Sequence, residues 1–194
     1  MKNYLLTVSA FLILICSVQA QHINLGIKGG LNGYTIQGKS NTSYDPRFSF
    51  NLGLLGHIHL RKQLALQPEI VFSGQGARYT VAGTTLHSNL NYVNIPLLFQ
   101  YMFDNGFRIE GGPQIGFLAS AKSVNGSTKT DVKSSFKNAE IGLAVGLSYV
   151  KPSTGFGFDI RYNQGLTDIA SNNTIKAYNA GIQLGLFYLF HHRS

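Results

Sequence analysis

Phe48-Ser-Phe-Asn-Leu-Gly-Leu-Leu-Gly-His-Ile-His-Leu60 and Phe156-Gly-Phe-Asp-Ile-Arg-Tyr-Asn163 alternate apolar residues with polar or small ones at a period of two. In the first stretch Phe48, Phe50, Leu52, Leu54, Ile58 and Leu60 share one face, and Ser49, Asn51, His57 and His59 share the other. In the second, Phe156, Phe158, Ile160 and Tyr162 oppose Asp159, Arg161 and Asn163. Successive side chains of a strand point to opposite faces, so both stretches read as strands with unlike surroundings on their two sides.

The same period runs from Ile23 onward, broken by clusters of Gly, Asn, Asp, Ser and Pro. It predicts eight strands, at 23–36, 47–60, 64–79, 90–102, 107–120, 136–150, 156–167 and 175–190. The last of these sets Ala180, Ile182, Leu184, Leu186, Tyr188 and Phe190 against Asn179, Gln183, Gly181 and Gly185. No segment carries a sustained helical period with caps.

One polar face per strand suits either a soluble barrel with an apolar interior or a membrane barrel with a polar one. The connections discriminate. They alternate in length, with tight turns at Arg61-Lys-Gln63, Asp104-Asn-Gly106 and 151–155, and the longest loop at 121–135. Transmembrane barrels have short periplasmic turns and longer outer loops. The expected fold is therefore an all-β, eight-stranded antiparallel up-and-down transmembrane barrel with both termini on the periplasmic side.

The acids sharpen this. Asp45, Asp104, Asp131 and Asp168 fall in the expected connections, while Glu69, Glu110, Glu140 and Asp159 fall inside strands. Charge on a lipid face is expensive near the midplane, so the strand acids should point inward. Lys28, Arg108 and Arg161 stand on matching faces as partners. An eight-stranded barrel has an interior about filled by its own side chains. The expectation is a polar plug rather than a wide pore, with these seven residues as structural lumen charges.

Composition agrees. Charged residues make up 12% of the 194-residue chain and aromatics another 12%, with 22 Gly and no Trp. Lys2, the apolar run from Tyr4 to Cys16 and the small residues Val18 and Ala20 read as a secretory signal peptide over 1–20. Residues 21–194 would then form the barrel domain. Cys16 is the only cysteine and sits in the removable segment, which excludes disulfides and thiolate chemistry from the mature chain. The net charge of +8 comes from scattered lysines on an exported protein and does not argue for nucleic acid.

Leu64-Ala-Leu-Gln-Pro-Glu-Ile-Val-Phe-Ser-Gly-Gln-Gly76, Leu90-Asn-Tyr-Val-Asn-Ile-Pro-Leu-Leu-Phe-Gln-Tyr101, Ile109-Glu-Gly-Gly-Pro-Gln-Ile-Gly-Phe117 and Asp159-Ile-Arg-Tyr-Asn-Gln-Gly-Leu-Thr-Asp168 resemble the PorT-like outer-membrane β-barrel domain family. The resemblance covers nearly all of the mature chain. It implies an integral protein of the Gram-negative cell outer membrane, surrounded by outer-membrane lipid. Asn94 and Gln100 depart from the Glu and Lys expected there, which reads as an ion pair replaced by amide hydrogen bonds. Phe190 closes the last apolar row, similar to the terminal-strand signal that the barrel-assembly machinery reads during insertion.

Other constellations were weighed against plainer readings. His57 and His59 share a strand face, but a metal needs further ligands. Ser73, Glu69 and a histidine have the composition of a hydrolytic triad, yet four residues along a strand span about 13 Å, and no catalytic residue is assigned. Gly26-Ile-Lys-Gly-Gly-Leu-Asn-Gly33 lacks phosphate-loop spacing and leads into no helix. The 121–135 loop, with Lys122, Lys129, Lys133 and Asp131, is expected to be mobile and exposed. The expected function is a non-enzymatic barrel without cofactor or metal, in a structural or surface-interaction role with an unknown surface partner. A lipid-modifying enzyme and a soluble lipocalin-like binder are the alternatives.

Overall fold

The computed structural model describes residues 23–38, 44–81, 83–172 and 176–190. The expected signal peptide lies outside the described residues. The strands are β1 (Ile23–Gly38), β2 (Tyr44–Arg61), β3 (Leu64–Val81), β4 (Thr84–Met102), β5 (Phe107–Asn125), β6 (Thr128–Asp131), β7 (Ala139–Val150), β8 (Phe156–Gly165) and β9 (Ala177–Leu189), with a single 3-10 turn at Lys133–Ser135. All pairings are antiparallel and join strands adjacent in sequence, except that β7 pairs with β5 rather than β6, and β1 pairs with β9 from Gly26↔Leu189 to Gly38↔Ala177. The β4–β5 and β5–β7 pairings complete a closed ring of eight strands, and β6 attaches to β5 alone. Closure leaves no unpaired edge in the wall.

Side-chain direction sets the environment. Leu31, Leu52, Leu54, Ile160, Leu184 and Leu186 are exposed on the outside, whereas Lys28, Asn51, Glu69, Arg161 and Gln183 are buried inside. This inside-out arrangement is the opposite of a lipocalin-like barrel, whose apolar residues would line a cavity. Ala180 breaks the expected pattern, since it is buried although its parity puts it on the apolar outer row. Near the short turns, Phe156 stacks on Tyr188 at 4.7 Å between ring centroids and Tyr101 on Phe103 at 5.1 Å. Such rings mark the boundary between hydrocarbon and headgroups.

The interior is layered. At the loop end Ile36, Ala77, Leu90, Tyr92, Leu118, Ala121 and Ile169 form an apolar cluster, joined by the half-buried Val132 and Phe136. At the turn end Leu55, Val150, Phe187 and Leu189 form a smaller one. Polar and charged side chains fill the space between them.

Two expectations about the loops require correction. The connection after β3 is not about ten residues but only 82–83, because β3 and β4 continue as a hairpin to Val81↔Thr84. Gly83 supplies the left-handed backbone (φ 77°) that this turn needs. The 121–135 stretch is not a featureless loop either. β5 runs on to Asn125, turns at Gly126 (φ 57°) and pairs with β6, from Lys122↔Asp131 to Asn125↔Thr128. Asp45 and Asp131 accordingly lie in β2 and β6, not in connections.

These extensions make the wall uneven. β2 to β5 are 18 to 19 residues long, while β7 to β9 are 10 to 13. A tilted strand crosses a bilayer in about 9–11 residues. The surplus extends these strands by roughly 25 Å along their own axes at about 3.4 Å per residue, and raises one side of the tilted wall by somewhat less.

Candidate functional site

The strand-borne charges converge inside the barrel. Arg161 on β8 reaches Glu69 on β3, the strand directly opposite in the ring, with Nη1 donating to Oε2 at 2.7 Å and Nη2 to Oε1 at 2.8 Å. Its Nε donates to Glu110 on β5. Lys28 sits between Glu69 (3.4 Å) and Asp159 (3.1 Å). Gln67 donates to Glu69 at 2.7 Å, and Gln100 and Ser148 donate to Glu110 at 2.7 and 3.1 Å. Arg108 lies 3.4 Å from both Gln100 Oε1 and His57 Nδ1. Three cations thus stand among three carboxylates, and nearly every polar neighbour is a donor aimed at a carboxylate. Charge-assisted bonds of this kind are the strong ones.

Small residues make the room. A side chain at Gly181 would run into the Tyr34 ring, and one at Gly185 would meet the Asp159 carboxylate. A narrow lumen holds large side chains only where the facing strand yields volume.

Glu140 on β7 stands apart. It is buried, accepts a 2.7 Å bond from Asn179 Nδ2, and has no ion pair among the described residues. Asn94 and Gln100, read as substitutes for a mutual ion pair, do not meet, being six residues apart on β4. Gln100 joins the Glu110 network, whereas Asn94 faces Glu140 across Gly116.

The ring centroids of His57 and His59 lie 4.5 Å apart at right angles. No group of three or more His, Cys, Asp or Glu is placed to hold a metal among the described residues. Ser73 pairs with Asn51 and accepts a 2.9 Å bond from Asn32. His57 is six residues further along β2, roughly 20 Å away at 3.4 Å per residue, so the triad is not assembled. Phe190 projects outward just past β9 and is 40% exposed. On the outer wall a groove of about 570 Å³ opens between Ile27, Leu52, Phe156, Phe158, Leu186 and Tyr188, facing the hydrocarbon.

At the loop end, Asp168 holds the β8–β9 connection. Its Oδ1 accepts from the backbone N–H groups of Ala177 (2.9 Å) and Ala170 (3.1 Å), and its Oδ2 from Lys137 (3.1 Å). The Ala177 N–H above all, with Lys137 and Ala170, holds this carboxyl below the usual carboxylate range. Its contribution is therefore complete above the unfolded carboxylate value and is lost as pH falls through the lower folded value. Acidification should lower the protection of the Ala170 and Ala177 amides relative to their intrinsic exchange rates, and Asp168→Asn should remove that pH dependence of protection. Equal protection in both proteins across the acid range would refute the latch. The Leu166-Thr-Asp168 ending has this physical meaning, since Thr167 Oγ1 also accepts from Ile141 N–H at 2.8 Å. The motif is visible in the sequence but these contacts are not, because Lys137 and Ile141 are distant in the chain.

A family described as outer membrane protein beta-barrel domain matches residues 19–171. No curated protein matches the sequence. Among solved structures the chain is similar to Neisserial surface protein A, at 13% identity over 86% of this chain and 97% of that one, with a TM-score of 0.55. It also matches Ail, the attachment invasion locus protein of Yersinia pestis, at 12% identity over 85% and 98% of the two chains, with a TM-score of 0.48. The likeness to the Neisserial protein is one of fold. With a closed wall, an apolar exterior and a family match over most of its length, the chain belongs to the outer membrane protein beta-barrel domain family and resides in the outer membrane.

Proposed function

We propose that this protein is a non-enzymatic outer-membrane barrel with a filled, non-conducting lumen, which acts through its loop end in a structural or surface-interaction role. The observation that carries the reading is the Arg161–Glu69 pair, which ties opposite walls across the axis. Apolar clusters on either side of it add two further barriers to ions. An ion entering this path must displace paired charges and shed water against Leu90 or Phe187, both of which are costly.

The uneven wall supports an outward role. The β3–β4 and β5–β6 hairpins raise Arg78, Lys122 and Lys129 beyond the band of lipid-facing residues. Basic groups there suit an anionic partner at the cell surface. Insertion would proceed through the barrel-assembly machinery, with Phe190 as the terminal signal. The motifs of β3, β4 and β8 support a place in the PorT-like branch of the family. Lipid-modifying catalysis has less support, since its candidate nucleophile and base lie far apart on the wall.

Planar-bilayer recording of the purified, refolded chain tests the filled lumen. The expected trace stays at the lipid background up to 1 M salt. Reproducible ohmic steps that grow with salt concentration would sink the proposal and turn attention to the lumen as a channel.

A further inference from the structure

The mid-lumen network is internally balanced, since Lys28, Arg108 and Arg161 stand with Glu69, Glu110 and Asp159. Glu140 is the fourth buried carboxylate, 3% exposed, and is the one without a cation among the described residues. An isolated buried carboxylate is costly and demands compensation. The surroundings show what kind.

Asn94, Gly116 and Glu140 form a row across three strands, paired Asn94↔Gly116 and Gly116↔Glu140. Gly116 leaves a notch between the outer two. A Cβ built there would lie 2.7 Å from Asn94 Oδ1, 3.0 Å from Glu140 Cγ and 3.2 Å from Glu140 Oε1, so the two side chains close over the glycine and bring two oxygens together above it. Asn94 is 2% exposed and its Oδ1 has no hydrogen-bond partner. Asn179 spends its amide N–H on Glu140 and likewise keeps an unpartnered Oδ1. The buried hydroxyls of Tyr34 and Tyr92 lie within electrostatic range of Glu140, Tyr34 beside Ser73 and Asn163 and Tyr92 beside Asn179. Leu90, Leu118 and Ile169 belong to the apolar cluster that includes Tyr92.

We propose that the loop-side half of the lumen binds one monovalent metal cation, held by the Glu140 carboxylate and the Asn94 amide oxygen in the notch at Gly116. The donor set is all oxygen, which selects a hard cation over a soft transition metal. One carboxylate supplies one charge, which a sodium-like ion matches, while the guanidinium of Arg47 at the loop end is spent on the carbonyls of Gln75 and Leu90. Calcium sites recruit 6–8 oxygens, commonly with several carboxylates, and this pocket has a single acid. Asn179 orients the carboxylate by bonding its other oxygen.

The test is urea unfolding of the full chain, refolded in zwitterionic phospholipid vesicles at constant ionic strength, with sodium chloride exchanged for N-methylglucamine chloride. A specific ion stabilises only the folded state, so the unfolding constant should fall about a hundredfold when sodium exceeds its dissociation constant by a factor of a hundred. Glu140→Gln should abolish the response and leave stability equal in the two salts. Gly116→Ala keeps the charge but fills the notch, and should also flatten the response, so it carries the test if Glu140→Gln fails to fold. Equal stability of the unaltered protein in both salts would overturn the proposal, leaving the carboxyl to a proton or to water. A response that survives both substitutions, or calcium acting at concentrations where sodium does not, would overturn it as well.

Discussion

Replacing Arg161 with methionine should lower the unfolding free energy of the barrel in lipid by about 3–5 kcal/mol, the usual cost of removing one partner from a buried ion pair. The effect is large because Arg161 serves three carboxylates at once, Glu69, Glu110 and, at 3.6 Å, Asp159. Its loss leaves Glu69 with Lys28 and Gln67, and Glu110 with Gln100 and Ser148, so three carboxylates share two cations. The guanidinium also bridges β8 to β3, so the wall loses a brace across its full width. Urea titration in phospholipid vesicles measures the change, and Glu69→Gln combined with Arg161→Met isolates the pair. The double variant should be more stable than the sum of the single losses implies, with a coupling of about 0.5–3 kcal/mol. A loss below about 1 kcal/mol for Arg161→Met would mean that water reaches these carboxylates, since well-solvated pairs are worth no more than that.

Placing arginine at Leu184 should cost about 2–4 kcal/mol, the penalty for a basic residue on the lipid face near the midplane. Leu184 lies mid-strand in β9, is 48% exposed, and pairs with the outward-facing Leu31 and Ile160. None of these neighbours offers a counter-charge. Reversible unfolding in vesicles reads the difference between Leu184→Arg and Leu184→Ala. The arginine variant should be the less stable of the two, and the gap should shrink near the strand ends, where a long side chain reaches the headgroups. Equal stability of the two would place this face in water and undo the inside-out assignment.

The strands were legible because a bilayer imposes a strict local code. Every outward residue must be apolar and every acid must turn inward, so the parity of Glu69, Glu110, Glu140 and Asp159 could be read from neighbours along the same strand. The loop-end hairpins were missed because that code stops at the membrane surface. Above it both faces meet water or protein, and the alternation that marked the lower strands fades. A signal was nonetheless present at Asn125-Gly126, a dipeptide that favours tight hairpin turns.

Partnership was a different matter. Arg161 and Glu69 are 92 residues apart, and they meet only because ring closure puts β8 opposite β3 and the register sets both at one level. Asn94 and Gln100 are kept apart by β4 itself, but cross-strand register is what brings Asn94 to Glu140. Sequence alone therefore determined the barrel, the eight strands of its wall and which charged side chains face inward, because those follow from a two-residue period and the cost of charge in lipid. Only the tertiary structure decided which charges pair, which one is left over, and how the ends of the lumen are lined. Those outcomes depend on closure and stagger of the whole sheet, and no local stretch of chain encodes them.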